Sequence, residues 1–163
     1  MVTVGVFHGG VRHNIIPDEV KLEGTIRTFD EEQRNEIHEH VTRISEMIAA
    51  AGGAKADVHI HRWYDVTVNH PELTDWSVPS LKRIAGDGNV LFVDKVCGAE
   101  DFSFFQKEVP GFFFFIGCTA PEKDPSTAAP NHSPRFFVDE KSLKLGVRAL
   151  SGLALDWLSA NPG

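Results

Sequence analysis

The sequence lacks several features that would assign it to a specialised class of protein. It has no run of about eighteen apolar residues, so no membrane-spanning helix is expected. Its two cysteines, Cys97 and Cys118, are too few for a disulfide scaffold, and we expect reduced, partly buried thiols in a cytoplasmic protein. No Lys/Arg cluster offsets the net charge of −7, which argues against nucleic-acid binding. The first residues lack the basic region and cleavage site of a signal peptide.

What the sequence contains is ordinary for a globular protein with a real core. Apolar residues make up 42% and charged residues 24% of the 163 positions, enough for one domain or two small ones. There is no internal repeat and no low-complexity tail. The pattern of elements changes at His70-Pro71, which looks like a boundary. We therefore predict an α+β unit over 1–70 and α/β layering over 71–163.

The first unit is predicted to hold three strands and one helix. Apolar residues alternate along its strands, and the strand that starts at residue 2 indicates a chain that begins inside a domain. Gly24 predicts a bulge or a close backbone approach, and Asp30 predicts a helix N-cap. The predicted elements are strands 2–7, 20–28 and 56–69 and the helix 31–51. The helix is expected to pack through Ile37, Val41, Ile44 and Ile48.

The second unit alternates predicted helices and strands. Its most distinctive segment is 112–116, a run of four phenylalanines and an isoleucine that is typical of a strand buried on both faces. The strand would end at Gly117, at the edge where open α/β sheets bind ligands. The predicted elements are helices 74–84, 102–109 and 140–159 and strands 89–93 and 112–116. The last helix is expected to pack through Leu143, Val147, Leu150, Ala154, Trp157 and Leu158.

Two positions in the second half are candidates for chemistry. His132 follows a long loop and precedes Pro134, so it can present a ring nitrogen to a metal; a loop histidine more often bonds a backbone carbonyl. Glu100 and Asp101 follow Gly98 at the turn into a helix. Carboxylates there usually cap the helix, and the alternative places them in a ligand crevice.

Two positions in the first half are candidates for binding. Arg27 lies in a strand, where a solvated arginine is common, but its fork suits a substrate carboxylate. Asn14 is most simply a turn residue.

Several short motifs together resemble one family. They occur in its order at 14–18 (NIIPD), 24–29 (GTIRTF), 98–103 (GAEDFS) and 131–134 (NHSP). The resemblance is to the amidohydrolase branch of the aminoacylase/carboxypeptidase metallopeptidases, the hippurate hydrolase-like and auxin-conjugate hydrolase-like enzymes. Each motif is modest alone, and the ordered set is specific.

The resemblance implies an α/β catalytic domain with two divalent metals, zinc or manganese, and an inserted α+β lid that also dimerises. The implied chemistry is hydrolysis of the amide bond of an N-acyl amino acid by a metal-activated water. By resemblance, His132 is a metal ligand, Arg27 holds the substrate carboxylate, and Asn14 also contacts substrate. The implied pocket-lining residues are Gly98, Glu100, Asp101 and Gly117.

The chain also departs from the family pattern. Most metal ligands and the general base of the family lie upstream of the lid, and no matching residues precede it here. We therefore expect the C-terminal part of such an enzyme, inactive alone, with incomplete lid and catalytic portions over 1–70 and 71–163. Open sheet edges favour a homodimer or larger assembly. The alternative is a non-catalytic dimerisation or small-ligand-binding module; neither nucleic acid nor membrane is an expected partner.

Overall fold

The computed structural model describes residues 1–162. It forms an α+β chain with one two-stranded sheet and four α-helices. Two compact units make up the chain: Met1–Thr67 with Lys95–Phe104, and Val68–Asp94 with Phe105 onward. Along the described chain, every helix is too short or too polar to span a bilayer. The assignment of 1–70 to a lid and of 71–163 to a catalytic domain stays a prediction.

The two strands predicted at the start of the first unit are present, and they pair as an antiparallel hairpin. Strand β1 is Val2–Gly9 and β2 is Val20–Ile26. The register shifts between Val4 and Val6, which leaves Gly5 as the extra residue of a bulge. Opposite the bulge, a Cβ on Gly24 would lie 2.2 Å from the Thr3 carbonyl oxygen, so the close approach predicted at this glycine is confirmed.

Helix α1, Glu31–Ala51, has the bounds that the sequence predicts. The Asp30 carboxylate accepts a hydrogen bond from the Gln33 amide at 2.9 Å, which confirms the N-cap. The predicted packing face is only partly covered, since Ile44 and Ile48 are exposed. The buried residue of this helix is Arg34.

The predicted strand 56–69 is wrong, because the residues after α1 join no sheet in the described chain. Arg34 holds them to α1 instead: its guanidinium donates to the Tyr64 carbonyl at 2.8 Å and lies 3.2 Å from Asp65. Alternating apolar residues fit a strand, but a strand also needs a neighbour for its backbone groups. The sequence pattern cannot supply that neighbour.

In the second unit, helix α2 runs over Pro71–Ala85, earlier than predicted. His70 caps it, with the Leu73 amide 3.4 Å from the imidazole Nδ1, and Pro71 occupies the first turn, where its missing N–H costs nothing. Gly86, at φ +93°, ends the helix. The predicted boundary at His70-Pro71 thus coincides with a helix start, three residues after Thr67, where the first stretch of the first unit ends.

The remaining helices are α3, Phe102–Glu108, and α4, Glu140–Ala160, which Asp139 caps. Short 3₁₀ turns cover Asp87–Asn89 and Pro125–Thr127. The prediction of a strand over 89–93 is also wrong, because β1 and β2 are the only paired strands among residues 1–162.

Helices α2 and α4 pack against each other. The rings of Trp76 and Trp157 meet edge to face, with centroids 5.2 Å apart. Asp156 of α4 accepts hydrogen bonds from Ser80 and from Arg83 of α2, the latter at 2.5 Å. The pKa of Asp156 lies below its ordinary value, mainly because the Ser80 hydroxyl donates a hydrogen bond to the carboxylate. The positive charge of Arg83 lowers this pKa further.

The face of α4 that contacts α2 includes Trp157 of the predicted face but otherwise differs from it. Ala149 is buried, and Gly152 lies against Ile84. The larger side chains predicted to pack, Leu143 and Val147 among them, are exposed. Small residues give the closer helix–helix approach here.

Candidate functional site

Arg27 is held in place at the end of β2. Its amide donates to the Met1 carbonyl at 2.9 Å, and its carbonyl accepts from the Met1 ammonium at 2.6 Å. The half-buried guanidinium donates to the Cys97 carbonyl at 2.5 Å, its one side-chain hydrogen bond among residues 1–162. A guanidinium carries five N–H donors, so four remain available for a planar anion.

The Cys97 contact brings Arg27 beside the turn that contains Gly98, Glu100 and Asp101. The Glu100 carboxylate folds back, with Oε1 3.6 Å from where a Gly98 Cβ would stand. The Glu100 carbonyl accepts hydrogen bonds from the Ser103 amide at 3.2 Å and hydroxyl at 2.7 Å. Both interpretations of Glu100 and Asp101, as caps of the helix that follows and as residues of a ligand crevice, stay predictions.

Asn14 lies elsewhere in the same unit. It is an exposed residue of the turn that connects β1 to β2, which agrees with the interpretation of Asn14 as a turn residue. Arg27 follows the opposite end of β2. Seven residues of strand separate the two ends by roughly 20 Å at the usual rise per residue. One copy of the chain therefore does not bring Asn14 and Arg27 to the same small molecule.

His132 has an unusual backbone conformation. Its φ of +73° is the only positive value among the described non-glycine residues, in a region that histidine adopts more readily than most residues. The turn is closed by the Ser133 amide on the Pro130 carbonyl and the Phe136 amide on the Ser133 carbonyl. The side chain is exposed, and nothing in residues 1–162 hydrogen-bonds its ring. The common alternative, a ring bonded to a backbone carbonyl, is not what the structure shows.

The phenylalanine segment is not the doubly buried strand that the sequence predicts. Phe112 is half-buried and Phe115 is exposed, because the described chain offers no strand on either side. Phe112 stacks on Phe114, and Phe113 meets Phe115 edge to face, so side chains still alternate between two sides. Gly117 is exposed, and a Cβ at this position would have no neighbouring atom within 4 Å.

Asn69 anchors this segment, and sequence reasoning missed it. Its side-chain nitrogen donates to the Phe113 carbonyl at 2.7 Å, and its oxygen accepts from the Phe113 amide at 2.7 Å. The His70 amide bonds the Gly111 carbonyl, and the Asp139 amide bonds the Cys118 carbonyl, each at 2.9 Å. An asparagine before His-Pro is typical of a turn, so no local signal points to this long-range role.

The candidate residues do not form a metal site by themselves. Nowhere in residues 1–162 do three or more His, Cys, Asp or Glu side chains gather closely enough to hold a metal ion. A protein zinc site usually needs about three protein ligands. The residues present therefore do not fit a dinuclear centre.

An open groove of about 550 Å³ lies along α1, away from the predicted site residues. Its lining includes His38 and His40. Partial burial, with the positive charges of Arg62 and Arg34, lowers the pKa of His38, so this imidazole is neutral at pH 7. Glu39 and Glu46 also line the groove, but among residues 1–162 no three of its histidine and glutamate side chains gather closely enough to hold a metal ion.

Comparison with known proteins confirms the predicted resemblance. Residues 2–156 match the model of peptidase family M20/M25/M40. Thermostable carboxypeptidase 2 of Saccharolobus solfataricus is 38% identical over 95% of this chain and 38% of its own length. IAA-amino acid hydrolase ILR1-like 4 of Arabidopsis thaliana is 31% identical over 97% of this chain and 36% of its own.

The fold comparison agrees. The crystal structure of the Bacillus subtilis YXEP protein, described as a dinuclear metal binding peptidase from the M20 family, superposes with a TM-score of 0.75 at 29% identity. The match covers 97% of this chain and 42% of that one. The chain thus spans about two-fifths of the length of the relatives it matches. With the family model covering almost every residue, the chain belongs to peptidase family M20/M25/M40.

Proposed function

We propose that the chain is the C-terminal part of a metal-dependent amidohydrolase that hydrolyses the amide bond of N-acyl amino acids, hippurate-like or related conjugates. The observation that carries the proposal is the placement of Arg27 beside the turn at 98–101, with four guanidinium donors available. A free amino acid carboxylate is a planar anion of the size that such a fork binds. The name of the Arabidopsis relative, an IAA-amino acid hydrolase, also supports this substrate class.

In this proposal the turn forms one wall of the substrate pocket. Gly98 allows the backbone to approach a ligand, and Glu100 and Asp101 are proposed to line the pocket with their carboxylates. Gly117 is proposed as a substrate-binding residue on the motif resemblance, and its exposed backbone has no neighbouring atom that would block a ligand.

His132 is proposed as one ligand of a pair of divalent metals, zinc or manganese. Its exposed ring, presented by a turn residue at φ +73°, supports this role because the ring nitrogens are open to a metal. No donor set surrounds it among residues 1–162. We therefore propose that this polypeptide alone neither holds the metal pair tightly nor hydrolyses amides.

A homodimer or larger assembly is also proposed, in the cytoplasm. The sheet has only two strands, so β1 presents an unpaired edge, and Val2, Val4 and Val6 along it are about half exposed. A second copy would also allow Asn14 of one chain to reach the substrate held by Arg27 of another. Sedimentation of the chain as a monomer at micromolar concentration would argue against this assembly.

The second candidate is a non-catalytic module for dimerisation or small-ligand binding. The lack of a metal-donor cluster in the described chain favours it. Both candidates predict binding of an N-acyl amino acid through Arg27, and only the first predicts chemistry when the rest of an M20 enzyme is supplied.

The test is ligand binding followed by activity. Titration of N-benzoylglycine into the chain, observed by NMR, should show binding that Arg27→Ala weakens at least tenfold, while Arg12→Ala, an exposed loop change, leaves it unaltered. Calorimetric titration with zinc or manganese should show no tight two-metal binding. Tight binding of two metals, or amide hydrolysis by the chain alone, would overturn the proposed inactivity. Equal binding by both variants would remove the role of Arg27.

A further inference from the structure

A second cation lies beside Arg27. The Lys95 ammonium stands over the ring of Phe29, with Nζ 5.9 Å from the ring centroid, which is within the range of a cation–π interaction. Phe29 follows Arg27 by two residues, and Lys95 precedes Cys97, the hydrogen-bond partner of Arg27, by two. The segments 27–29 and 95–97, both in the first compact unit, therefore meet twice and in opposite directions.

This junction places the two positive charges near each other. The Arg27 amide still bonds the Met1 carbonyl, and Asp30 has an extended backbone, so the chain between them is close to extended. Two residues of extended chain span roughly 7 Å. Because Arg27 and Phe29 both contact the segment 95–97, their side chains lie on the same side of the chain. One small molecule can therefore reach both the guanidinium and the ammonium.

Neither cation is neutralised within the described chain. The net charge of the sequence is −7, yet among residues 1–162 neither Arg27 nor Lys95 forms a salt bridge. Lys95 is exposed, and the ring beneath it holds the ammonium on one side and leaves N–H donors open on the other. The junction thus offers two separate binding points for negative groups.

We propose that Lys95 is a specificity-determining residue that binds a second carboxylate, so that the chain prefers N-acyl amino acids with an acidic side chain. The planar fork of Arg27 suits the α-carboxylate, and the compact charge of Lys95 suits the side-chain carboxylate, which a short aliphatic chain separates from the first. A substrate with a neutral side chain would leave the ammonium unpaired. The inference rests on the proposed function in assigning the α-carboxylate to Arg27.

The test compares two ligands of nearly the same shape, N-benzoylglutamate and N-benzoylglutamine, which differ by one negative charge. Titration into the chain, observed by NMR, should show that N-benzoylglutamate binds about fivefold more tightly, the usual upper value for an exposed ion pair. Lys95→Met should abolish this preference and leave the affinity for N-benzoylglutamine unchanged. Lys95→Arg should retain the preference, because it keeps the charge.

The matched control is Lys55→Met, which removes the same charge at an exposed lysine of the same unit. Lys55 follows the far end of α1, whose 21 residues span about 30 Å. That distance is about three Debye lengths at 0.1 M salt, so the preference should change less than twofold.

Equal binding of the two ligands by the parent chain, an unchanged preference in Lys95→Met, or its loss in Lys55→Met would each overturn the inference. If N-benzoylglycine still binds through Arg27 in those cases, the proposed function stands without the role of Lys95. Absence of binding by all three ligands would reject the inference together with the role of Arg27. A preference that depends on Lys95, without amide hydrolysis once the rest of an M20 enzyme is supplied, would keep the specificity site and reject the amidohydrolase function.

Discussion

Replacement of Asn69 tests how the phenylalanine segment is held. Its carboxamide makes two hydrogen bonds of 2.7 Å to the backbone of Phe113, one as donor and one as acceptor. Each is worth about 1 kcal/mol net, so Asn69→Ala should lower the free energy of unfolding by about 2 kcal/mol. For a chain of this size the melting temperature should fall by roughly 4–8 °C.

Asn69→Asp sharpens the test, because it changes one atom. The carboxylate still accepts from the Phe113 amide but repels the Phe113 carbonyl oxygen, so the variant should be at least as unstable as Asn69→Ala at pH 7. Protonation below about pH 4 restores a donor, and the difference from the parent should then shrink.

The assays are urea unfolding and amide hydrogen exchange at Phe113. Exchange at this amide should accelerate most in Asn69→Ala, which loses the acceptor, and less in Asn69→Asp, which keeps the acceptor and only destabilises the segment. The control is Asn161→Ala, which removes a single exposed bond of 3.0 Å to the Trp157 carbonyl and should cost less than about 0.5 kcal/mol. Unchanged exchange at Phe113 in Asn69→Ala, or equal costs for the Asn69 and Asn161 variants, would refute the two-bond anchor.

Three further changes test the hairpin, α1 and the α2–α4 contact. Gly24→Ala should destabilise the chain by about 2 kcal/mol in urea, since its methyl group would meet a backbone carbonyl at 2.2 Å, whereas Gly5→Ala, with nothing within 4 Å, should be tolerated. Asp30→Ala should cost about 1 kcal/mol and reduce helical circular dichroism; no loss would mean that the cap is not formed in solution. Asp156→Asn should destabilise the folded chain at neutral pH, because the Ser80 hydroxyl bonds the carboxylate and lowers its pKa. The stabilisation by the charged carboxylate is present above about pH 4 and is lost as the pH falls through the lowered pKa of Asp156. A parent–variant difference that persists at pH 2 would contradict it.

Local features of the fold were predictable from the sequence. Asp30 and Gly52 set the ends of α1 through capping chemistry that needs only neighbouring residues. Gly24 indicated a close backbone approach because a glycine within a strand has few other reasons to be there. The sequence could also have predicted the start of α2 at Pro71, because proline is common in the first turn of a helix as well as at boundaries between units.

Non-local features were not predictable. The segments 56–69, 89–93 and 112–116 have strand composition, yet strand formation depends on a neighbour that composition does not reveal. The same limit applies to α4, whose apolar pattern identifies a helix but cannot say which of two apolar sides meets α2.

In the candidate site, too, some residues were predictable from the sequence and others were not. Motif resemblance identified Arg27 and the turn at 98–101, and the structure brings them together through the Cys97 carbonyl. Asn69 carries no motif and acts across 44 positions, so only coordinates could find it. The role of His132 stays a prediction, since its ring has no partner in the described chain by which to judge it.

The Arg27 guanidinium donates to the main-chain oxygen of residue 97, so this hydrogen bond does not depend on the side chain at that position. Evolution can replace Cys97 without moving the guanidinium, provided the peptide plane keeps its orientation. The thiol is thus free to serve as a chemical handle: a fluorophore or spin label attached there would report on anions arriving at Arg27 while leaving the arginine's own tether intact.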